Sequence, residues 1–303
     1  MIPDEVVALA DRRHAAREAK DFAKADELRE EIHRAGFDVV DTPGGWTLRP
    51  RAASAEAVHR RVEDVPSLLD EPPMAAFSVQ WVDQGWPQDI ERGIASFGWT
   101  HAGRPVQHIV VEASLDRTSW HGSVDVVRLD PSLGWGAARN AALRRTAGSI
   151  VIVVDGSIEA MGDVFEPVEN ALADPTAGAV GPFGIVSDDL REFRESDGPD
   201  VDAIEGYFLA FRRELLDQGV RFDEKFKFYR TADIELCFHL KAMGYRAVVV
   251  PIPVTRHEHR MWAATPEEQR SRLSKRNFYR FLDRWRGRTD LLVSAGRGRT
   301  GRD

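Results

Sequence analysis

The feature that most constrains this chain is an apolar run, Ile150 to Val154, that ends on Asp155. The run is β-branched, holds no charge and stops at Asp155-Gly156, so it predicts a strand buried on both faces of a sheet. Small and apolar residues before it predict a short helix with Gly148 as its C-cap. A carboxylate at the carboxyl end of a central strand lies where open α/β sheets bind ligands, and it can hold a divalent cation against phosphates.

Composition narrows the class of protein. The 303 residues are enough for one large domain with an appendage, and 43% of them are hydrophobic, as in ordinary globular proteins. The sequence has no run of roughly 20 apolar residues to span a bilayer and no signal-peptide layout at its N-terminus. The lone Cys237 excludes an internal disulfide framework, and the net charge of −8 argues against a nucleic-acid footprint over the whole surface. We therefore expect a soluble, cytoplasmic protein.

Residues 1–50 predict a helical hairpin followed by a small β-hairpin. Gly36 is in the position expected after the second helix, whose apolar stripe comprises Phe22, Ala25, Leu28, Ile32 and Ala35. The segment resembles the C-terminal, anticodon-binding end of cysteinyl-tRNA synthetases at Lys20, Asp21, Phe22, Ala25, Asp26, Arg29, Gly36, Asp41, Thr42, Pro43, Gly45 and Trp46. The resemblance implies contact with RNA. The alternative is a reused helical module for protein docking or dimerisation.

The rest of the chain divides by composition. Residues 51–73 lack a sustained stripe and end in a double proline, which predicts a linker. Strands alternate with helices over residues 74–287, which predicts an α/β domain with a mostly parallel sheet flanked by helices. Within it, the charged, Gly- and Pro-punctuated residues 187–200 predict a mobile loop. Residues 288–303 predict a flexible basic tail because they have little to bury.

The order glycine turn, Ala-Ala-Arg-Asn, helix, Ala-Gly, apolar strand and Asp resembles the family 2 glycosyltransferases, which have the GT-A fold. In that family the Asn-containing helix packs beside the nucleotide pocket, and an Asp-any-Asp motif after the strand binds a metal. Asn140 and Asp155 match these positions, but Ser157 replaces the second Asp. The resemblance implies a UDP- or GDP-linked sugar donor and a divalent cation, Mn²⁺ or Mg²⁺, held by Asp155 with Glu159 or His257.

In the same family the nucleoside contacts the end of the first strand and a turn after the second, where this chain has Asp83 and Glu112. Glu112 can accept a base N–H or can be a solvated carboxylate at a strand end. Asp155 can be a metal or ribose ligand or can cap the turn that follows it. His257 and His259 face one way on an extended segment, which suits a metal, although such pairs are also common surface patches.

Two carboxylates match the acceptor side of the family. Glu205 and Gly206 precede an apolar stretch and an Arg, and the resemblance implies that Glu205 orients an acceptor hydroxyl. The alternative is a paired carboxylate at a strand end. Asp233 keeps the place of the family's catalytic base, although Ala232 replaces the Glu before it. A cleft carboxylate can deprotonate a hydroxyl as it attacks the sugar's anomeric carbon, whereas the alternative for Asp233 is an N-cap.

Residues 270–288 predict an amphipathic basic helix that binds phosphates, an anionic membrane or RNA, or that packs its aromatic face on the domain. Taken together, the sequence predicts a metal-assisted, inverting glycosyltransferase that uses a nucleotide-sugar and an unidentified acceptor. One alternative is a nucleotide-sugar-binding protein without turnover, which Ser157 and Ala232 favour. The other is a tRNA- or RNA-associated protein that acts through residues 1–50.

Overall fold

A computed structural model describes residues 2–35, 37–42, 45–50, 58–98, 103–120 and 124–297. The chain divides into two compact units, Met1–Ala57 and Val58–Asp303. Each unit has a hydrophobic core of its own. Among the described residues, no helix combines the length and the apolar character that crossing a bilayer requires.

The first unit is a helical hairpin followed by a β-hairpin, as its pattern predicts. Helices α1, Asp4–Glu18, and α2, Phe22–Arg34, precede the antiparallel strands β1, Phe37–Thr42, and β2, Gly45–Pro50. Three residues of the predicted apolar stripe are buried, namely Ala25, Leu28 and Ile32. Gly36, predicted to follow the second helix, lies outside the described residues.

The second unit alternates strands and helices. Its strands are β3 Ala75–Asp83, β4 Val106–Glu112, β5 Val124–Arg128, β6 Gly148–Val154, β7 Ile158–Ala160, β8 Ala177–Gly181, β9 Gly184–Ser187, β10 Phe193–Ser196, β11 Asp200–Val201, β12 Ala203–Ile204, β13 Phe208–Arg212, β14 Arg246–Val249 and β15 Val254–Arg256. Its α-helices are α3 Pro87–Gly98, α4 Trp135–Arg144, α5 Phe165–Leu172, α6 Ala232–Ala242, α7 Arg260–Ala264, α8 Glu267–Trp285 and α9 Val293–Arg297.

The central sheet has the strand order β11-β14-β8-β13-β6-β3-β4-β5. Strands β6, β3, β4 and β5 run parallel, and so do β8 and β14. Strand β13 lies antiparallel between β6 and β8. The prediction of an α/β fold with a largely parallel sheet and flanking helices is confirmed, and two strands reverse the direction, namely β13 inside the sheet and β11 at its edge.

Strand β6 is buried on both faces, as its uninterrupted apolar run predicts. Val151 and Val153 face a cluster that includes side chains of α6 and α8. Ile152 and Val154 face a second cluster, to which α3 and α5 contribute. Because successive strand residues point to opposite faces, β6 connects the two halves of the core and fixes the position of the residue that follows it.

Gly148 does not cap a helix, contrary to the prediction. Helix α4 ends at Arg144, and Gly148 is the first residue of β6. A Cβ atom on Gly148 would lie 2.3 Å from the carbonyl carbon of Phe77. The glycine is therefore required for the close approach of β6 to β3, and not for ending the helix.

Part of the stretch predicted as a linker packs in the second unit. Val62 and Val65 are buried in a cluster with the alanines of α4, and the Leu68 N–H donates to the Arg144 carbonyl at 2.7 Å. Residues 51–57 lie outside the described residues. The apolar side chains around Val62 explain why this part of the stretch is ordered against the sheet.

The segment predicted as a mobile loop, residues 187–200, contains strand β10. This strand pairs antiparallel with β9, whose other edge pairs with β12, and the three form a small separate sheet. The Asp189 carboxylate accepts the N–H groups of Arg191 and Glu192 and closes the turn. The loop prediction is wrong for Phe193–Ser196, because local side-chain hydrogen bonds allow a charged segment to form a hairpin.

The basic helix predicted near the C-terminus is α8. Phe281 and Trp285 are buried against Phe238 of α6, so the aromatic face of the helix packs on the domain. Arg280 and Arg284 form ion pairs with Asp223 and Glu235. Of the predicted flexible tail, residues 288–303, the first part packs on the domain, because Leu292 is buried in the core and the Val293 N–H donates to Asp202 Oδ1 at 2.7 Å. The end of the tail, residues 298–303, lies outside the described residues.

Candidate functional site

Asp155 follows β6 directly and is half-buried at the carboxyl edge of the sheet. Its Oδ1 accepts hydrogen bonds from the backbone N–H and the hydroxyl of Ser157. Burial acts to raise the pKa of Asp155, but hydrogen bonds from His259 and Ser157 outweigh burial and hold the pKa below its ordinary value. Ser157 thus supports the Asp155 carboxylate from the position where the resembling family carries a second Asp.

His259, just before α7, faces the same carboxylate. Its Nε2 lies 3.3 Å from Asp155 Oδ2, and its Nδ1 accepts the backbone N–H of Trp262 at 3.1 Å. The imidazole stacks on the ring of Tyr229 with 4.2 Å between the centroids. Because Nδ1 accepts a hydrogen bond, the neutral imidazole carries its proton on Nε2 and donates it to Asp155.

Asp155 and His259 belong to the walls of two cavities. The larger cavity has a volume of about 370 Å³, and the smaller one about 40 Å³. The end of β3 and the first residues of α3 and α7 line the smaller cavity. The small three-stranded sheet, the residues before β13, the start of α6 and one side chain of α8 line the larger one. The carboxylate and the imidazole can therefore be reached from two sides.

Asp233 lines the larger cavity from the first turn of α6. Its Oδ2 accepts the Gly206 N–H at 2.7 Å, and its Oδ1 accepts the Ile234 N–H at 2.9 Å. Burial raises the pKa of the Asp233 carboxyl, and these backbone hydrogen bonds oppose the rise. The N-cap position of α6 is Thr231. Asp233 is thus a cavity carboxylate whose raised pKa makes it a stronger base.

Glu205 lines the same cavity just before β13. Burial, with a further contribution from the charge of Asp233, raises the pKa of Glu205 to about 7, while Arg256 and Arg230 act to lower it. Near pH 7 the Glu205 carboxyl therefore carries a proton in a large share of the molecules and can donate a hydrogen bond. The fold brings together two carboxyl groups that the sequence identified only in separate motifs.

Asp83, predicted to contact the nucleoside, lines the smaller cavity. Its Oδ1 accepts the N–H groups of Gly85 and Trp86 at 2.9 and 3.0 Å. Its Oδ2 is buried and has no hydrogen-bond partner within the described part of the chain, and burial raises the pKa of the carboxyl. A buried acceptor without a partner costs roughly 1–3 kcal/mol, so this oxygen is suited to bind an N–H or O–H group of a ligand.

Glu112 lies at the end of β4 and lines neither cavity. It is 3% exposed, so the solvated alternative does not describe it. One carboxylate oxygen accepts the Thr118 N–H and the indole N–H of Trp120, and the other accepts from the Arg128 guanidinium at 2.8 Å. These bonds organise the turn after β4 and occupy both oxygens of the carboxylate.

Asn140 also lies outside the walls of the two cavities. Its side-chain amide donates to the Phe222 carbonyl and the Glu224 carboxylate, and its oxygen accepts the Phe222 N–H at 3.0 Å. Asn140 thus binds residues 222–224 to α4. These residues lead toward Thr231 and Asp233, so Asn140 supports the wall of the larger cavity from behind.

The two other residues predicted as metal ligands, Glu159 and His257, contact each other. His257 Nε2 lies 2.7 Å from a Glu159 carboxylate oxygen, and Arg92 Nε lies 3.8 Å from the same group. Strand β15 pairs with β7 and ends at Arg256, so the alternation of an extended strand does not continue through residues 257–259. For this reason His259, and not His257, contacts Asp155.

Several residues in the wall of the larger cavity were not singled out from the sequence, and four of them lie beside the matched motifs, namely Tyr207, Tyr229, Arg230 and Thr231. Thr231 has a φ of 72°, in the left-handed region that a β-branched residue rarely adopts. All four are neighbours of the matched residues Gly206 and Asp233 in the sequence. Their adjacency to these motifs was the available signal, but pattern alone does not show which way the side chains point.

A carboxylate and an imidazole are the types of ligand that Mn²⁺ binds, and Mg²⁺ prefers the carboxylate. As arranged here, Asp155 and His259 direct these atoms at each other, at Ser157 and at the Trp262 N–H. Among the described residues, no group of three His, Cys, Asp or Glu side chains is placed to hold a metal ion. The present arrangement does not fit a cation, and Asp155 and His259 must separate to bind one.

Two families of known proteins match the chain. Residues 110–237 match glycosyl transferase family 2, and residues 1–49 match the cysteinyl-tRNA ligase anticodon binding domain. The cysteine–tRNA ligase of Opitutus terrae is 53% identical over 49 residues, which are 16% of this chain and 11% of that protein. The ligase of Lactiplantibacillus plantarum is 50% identical over 46 residues, 15% of this chain and 10% of that protein. The chain thus spans about a tenth of the length of these relatives.

Solved structures match the second unit. The mannosyltransferase PcManGT from Pyrobaculum calidifontis, in complex with GDP-Man and Mn²⁺, has a TM-score of 0.51 and 19% identity over 76% of this chain and 73% of that chain. GalNAc-T7 with UDP, GalNAc and Mn²⁺ has a TM-score of 0.55 and 14% identity over 70% of this chain and 48% of that chain. At these identities the likeness shows the fold. The chain therefore has a segment that matches glycosyl transferase family 2 and a GT-A-like α/β fold, and its first 49 residues match the cysteinyl-tRNA ligase anticodon binding domain.

Proposed function

We propose that this chain is a glycosyltransferase that moves a sugar from a nucleotide-sugar donor to a hydroxyl group of an acceptor. The observation that carries the proposal is the wall that Asp155 and His259 share between two cavities. Asp83, whose buried Oδ2 has no hydrogen-bond partner among the described residues, lines one cavity, and Asp233 and Glu205 line the other. A donor and an acceptor that enter from the two sides meet at Asp155.

The smaller cavity is the proposed nucleoside side. Asp83 Oδ2 accepts a hydrogen bond there from the base or the ribose of a UDP- or GDP-linked sugar. A volume of about 40 Å³ admits only the edge of a nucleoside. Donor binding therefore moves Arg260 and Met261 at the start of α7, which line this cavity. The ion pair between Arg260 and Asp89, 3.1 Å long, holds that segment in the present position.

The larger cavity is the proposed acceptor side. Asp233 takes the proton of the acceptor hydroxyl as the hydroxyl oxygen forms a bond to the anomeric carbon. The bond from that carbon to the diphosphate oxygen breaks, and its electron pair leaves with the nucleoside diphosphate. Because one base serves one displacement, the configuration at the anomeric carbon inverts. Glu205 hydrogen-bonds the acceptor and holds its hydroxyl in line for attack.

Metal assistance is a separate part of the proposal. The proposed proton transfer and displacement do not use a cation, because the present arrangement of Asp155 and His259 does not fit one. A requirement for Mn²⁺ would mean that the 3.3 Å contact between these side chains opens when donor and cation bind together. The experiment below measures that requirement directly.

The test is a thermal-shift panel of UDP-, GDP-, dTDP- and ADP-sugars, each with and without Mn²⁺. A ligand that binds only the folded state raises the melting temperature. We expect one nucleotide class to stabilise the wild type and to have no effect on Asp83→Asn or Asp155→Ala. The control variant Arg60→Gln, at an exposed position that lines neither cavity, keeps the shift. Release of the nucleoside diphosphate in the presence of candidate acceptors then measures transfer.

The outcomes separate the functions that the sequence left open. A shift with release of the nucleoside diphosphate supports the transferase. A shift without release under any condition indicates a nucleotide-sugar-binding protein that has lost turnover. No shift from any donor, with an intact melting transition, rules the proposal out.

A second function, contact with tRNA, is favoured by the match of residues 1–49 to the anticodon binding domain. The test is binding of tRNA by the full chain and by a chain that lacks residues 1–57. Binding through phosphates weakens as the salt concentration rises. Equal binding by the two chains, or none by either, would remove this function.

A further inference from the structure

Two arginines of the larger cavity wall and two beside it form no ion pair with a carboxylate of the described residues, although acidic residues outnumber basic ones in this chain, with a net charge of −8. We call them the rim arginines, and they are Arg191, Arg230, Arg256 and Arg270. Arg191 and Arg230 line the cavity and are exposed. Within the described residues none of the four forms an ion pair, whereas the neighbouring Arg260, Arg280 and Arg284 all do.

Aromatic rings hold three of the rim arginines. The guanidinium carbons of Arg230 and Arg270 lie 5.4 and 4.5 Å from the ring centroid of Trp262. The guanidinium of Arg256 lies 4.7 Å from the ring centroid of Tyr207, which lines the cavity. A guanidinium stacked by its face keeps its N–H edge available for hydrogen bonds, so these side chains are oriented without being neutralised.

Two of these arginines have N–H donors that no group of the described residues accepts, and Arg230 presents its donors at the cavity wall. Nε of Arg270 is buried and has no hydrogen-bond partner in the described part of the chain, while one of its other nitrogens donates to the Trp262 carbonyl at 3.1 Å. No hydrogen bond of the described residues uses the Arg230 guanidinium, whose contact is the Trp262 ring. A pair of guanidinium groups with free N–H donors is the arrangement that binds phosphate oxygens.

The acidic and basic groups of the larger cavity differ in their exposure to solvent. The acidic groups Asp155, Glu205 and Asp233 are half-buried, whereas Arg191 and Arg230 are exposed. Glu195 is the exposed carboxylate in the same wall. An acceptor in this cavity would thus place a hydroxyl among the inner carboxylates and its outer part against the basic rim.

We propose that the acceptor carries a phosphate group, which the rim arginines bind while an acceptor hydroxyl lies beside Asp233. This inference rests on the proposed transferase function, because it takes the larger cavity as the acceptor side. It names the class of acceptor as a phosphate ester. The ester can be a soluble molecule or the headgroup of a lipid, and the chemistry of recognition is the same for both.

The experiment is isothermal titration calorimetry of the full chain with sn-glycerol 3-phosphate at low ionic strength, with glycerol as the uncharged control ligand. We expect binding of the phosphate ester alone. Arg230→Gln and Arg270→Gln each lower the affinity about tenfold, because each removes charge-assisted hydrogen bonds. Arg230→Lys keeps the charge but loses the planar, stacked donor set, and we expect it to lower the affinity about threefold.

The matched control is Arg117→Gln, which changes the net charge by the same amount on an exposed loop. We expect its affinity for sn-glycerol 3-phosphate to equal that of the wild type. To test whether the phosphate belongs to a lipid, binding is also measured to vesicles of phosphatidylcholine with and without phosphatidic acid. If the wild type binds the vesicles with phosphatidic acid and the Arg230 and Arg270 variants do not, the phosphate is carried by a lipid. Binding of the soluble ester alone indicates a free one, and either result supports the proposal.

Three results would overturn the acceptor assignment. The first is no binding of sn-glycerol 3-phosphate to the wild type, or equal binding by all variants. The second is competition between the phosphate ester and the donor nucleotide, which would assign the arginines to the donor diphosphate. The third is a phosphate site without any nucleotide binding. In that case the arginines bind an anion but the chain is not a transferase. Failure of the acceptor assignment and failure of the transferase proposal therefore give different results.

Discussion

The Asp233 carboxylate accepts the backbone N–H of Gly206 at 2.7 Å, and a Cβ on Gly206 would lie 3.2 Å from the Cβ of Asp233. This contact joins the first turn of α6 to the residues that precede β13. It places the proposed base against a position where any side chain other than hydrogen is crowded. The hydrogen bond and the close approach therefore hold Asp233 at the cavity wall.

Gly206→Ala should shift Asp233 by a few tenths of an ångström and lower the rate of transfer about tenfold, since small errors in the position of a reacting group are costly. The melting temperature should also fall, because the crowded atom is the Cβ of Asp233, which moves only with the backbone of α6. Gly98→Ala is the matched control, since a Cβ there meets open space. Equal rates for the two variants would show that Asp233 does not need this positioning.

Asp233→Asn should lower transfer roughly 100- to 10,000-fold, as expected for loss of a general base. The free energy of unfolding at pH 7 should change by no more than about 1 kcal/mol. Burial of the charged carboxylate is unfavourable, as its raised pKa indicates, and its removal offsets the lost backbone hydrogen bond. Rates of nucleoside diphosphate release and chemical denaturation measure the two effects. A fully active variant would exclude Asp233 as the base.

Glu205 should make the stability depend on pH. Its pKa is about 7 in the folded protein against 4.5 ordinarily, so the folded state binds more protons between these values. The free energy of unfolding should therefore fall as the pH rises from 4.5 to 7. Glu205→Gln should not show this fall in the free energy of unfolding. Between pH 4.5 and pH 7 its stability relative to the wild type should therefore rise by about 2 kcal/mol.

Denaturation curves of both proteins from pH 4.5 to pH 8 measure this difference. Burial also raises the pKa of Glu235 to about 7. Its effect on stability is the same in both proteins, so it cancels in the difference between them. Glu166→Gln removes an exposed carboxylate outside the cavity and is the control for the loss of one negative charge. A constant difference between Glu205→Gln and the wild type at all pH values would contradict the assignment.

Asn277 on α8 should be important for stability and for the shape of the cavity. Its buried side-chain amide donates to the Phe228 and Arg230 carbonyls at 2.7 and 2.8 Å. Asn277→Ala leaves both carbonyls without this donor and should lower the free energy of unfolding by about 2–4 kcal/mol. The control Ser274→Ala on the same helix removes a buried hydroxyl that has no partner among the described residues, so it should be neutral or stabilising. Chemical denaturation measures both.

Thr231 should be strained, because its φ of 72° lies in the left-handed region. Thr231→Gly should raise the free energy of unfolding by about 1 kcal/mol, since glycine adopts this conformation without steric cost. Thr265→Gly serves as the control, because Thr265 has an ordinary φ of −80° and the substitution there should be destabilising. If both variants lose stability equally, Thr231 is not strained.

Periodicity in the sequence was sufficient to predict the first unit and strand β6. Leu28 and Ile32 repeat at helical spacing, and Ile150 to Val154 form a run that only a doubly buried strand explains. The antiparallel direction of β13 was not predictable, because a buried strand has the same apolar pattern whichever way it runs. The prediction for Gly148 was wrong because a close approach to Phe77 from a distant strand leaves no local signal.

The candidate site was predicted in part. Asp155, Asp233, Glu205 and Asp83 line the cavities, as expected of residues at strand and helix ends. Glu112 and Asn140 occupy positions that match the family, but in this structure their hydrogen bonds go to neighbouring segments of the chain. Sequence patterns identify residue types and spacing, whereas the partner of a side chain depends on segments that are far apart in the chain.

The antiparallel β13 has a consequence for how such proteins diversify. Phe208, at the start of β13, pairs with Val154 at the end of β6, and because the two strands run in opposite directions, Glu205 and Asp155 line the same cavity. Glu205 and the small sheet of β9, β10 and β12 lie on one continuous stretch, residues 182–207. Exchange of that stretch between relatives would change one side of the larger cavity and leave β3, β6 and the smaller cavity intact. This side of the cavity can therefore vary as one unit, whereas Asp233 and Arg230 on the other side belong to a later segment of the chain.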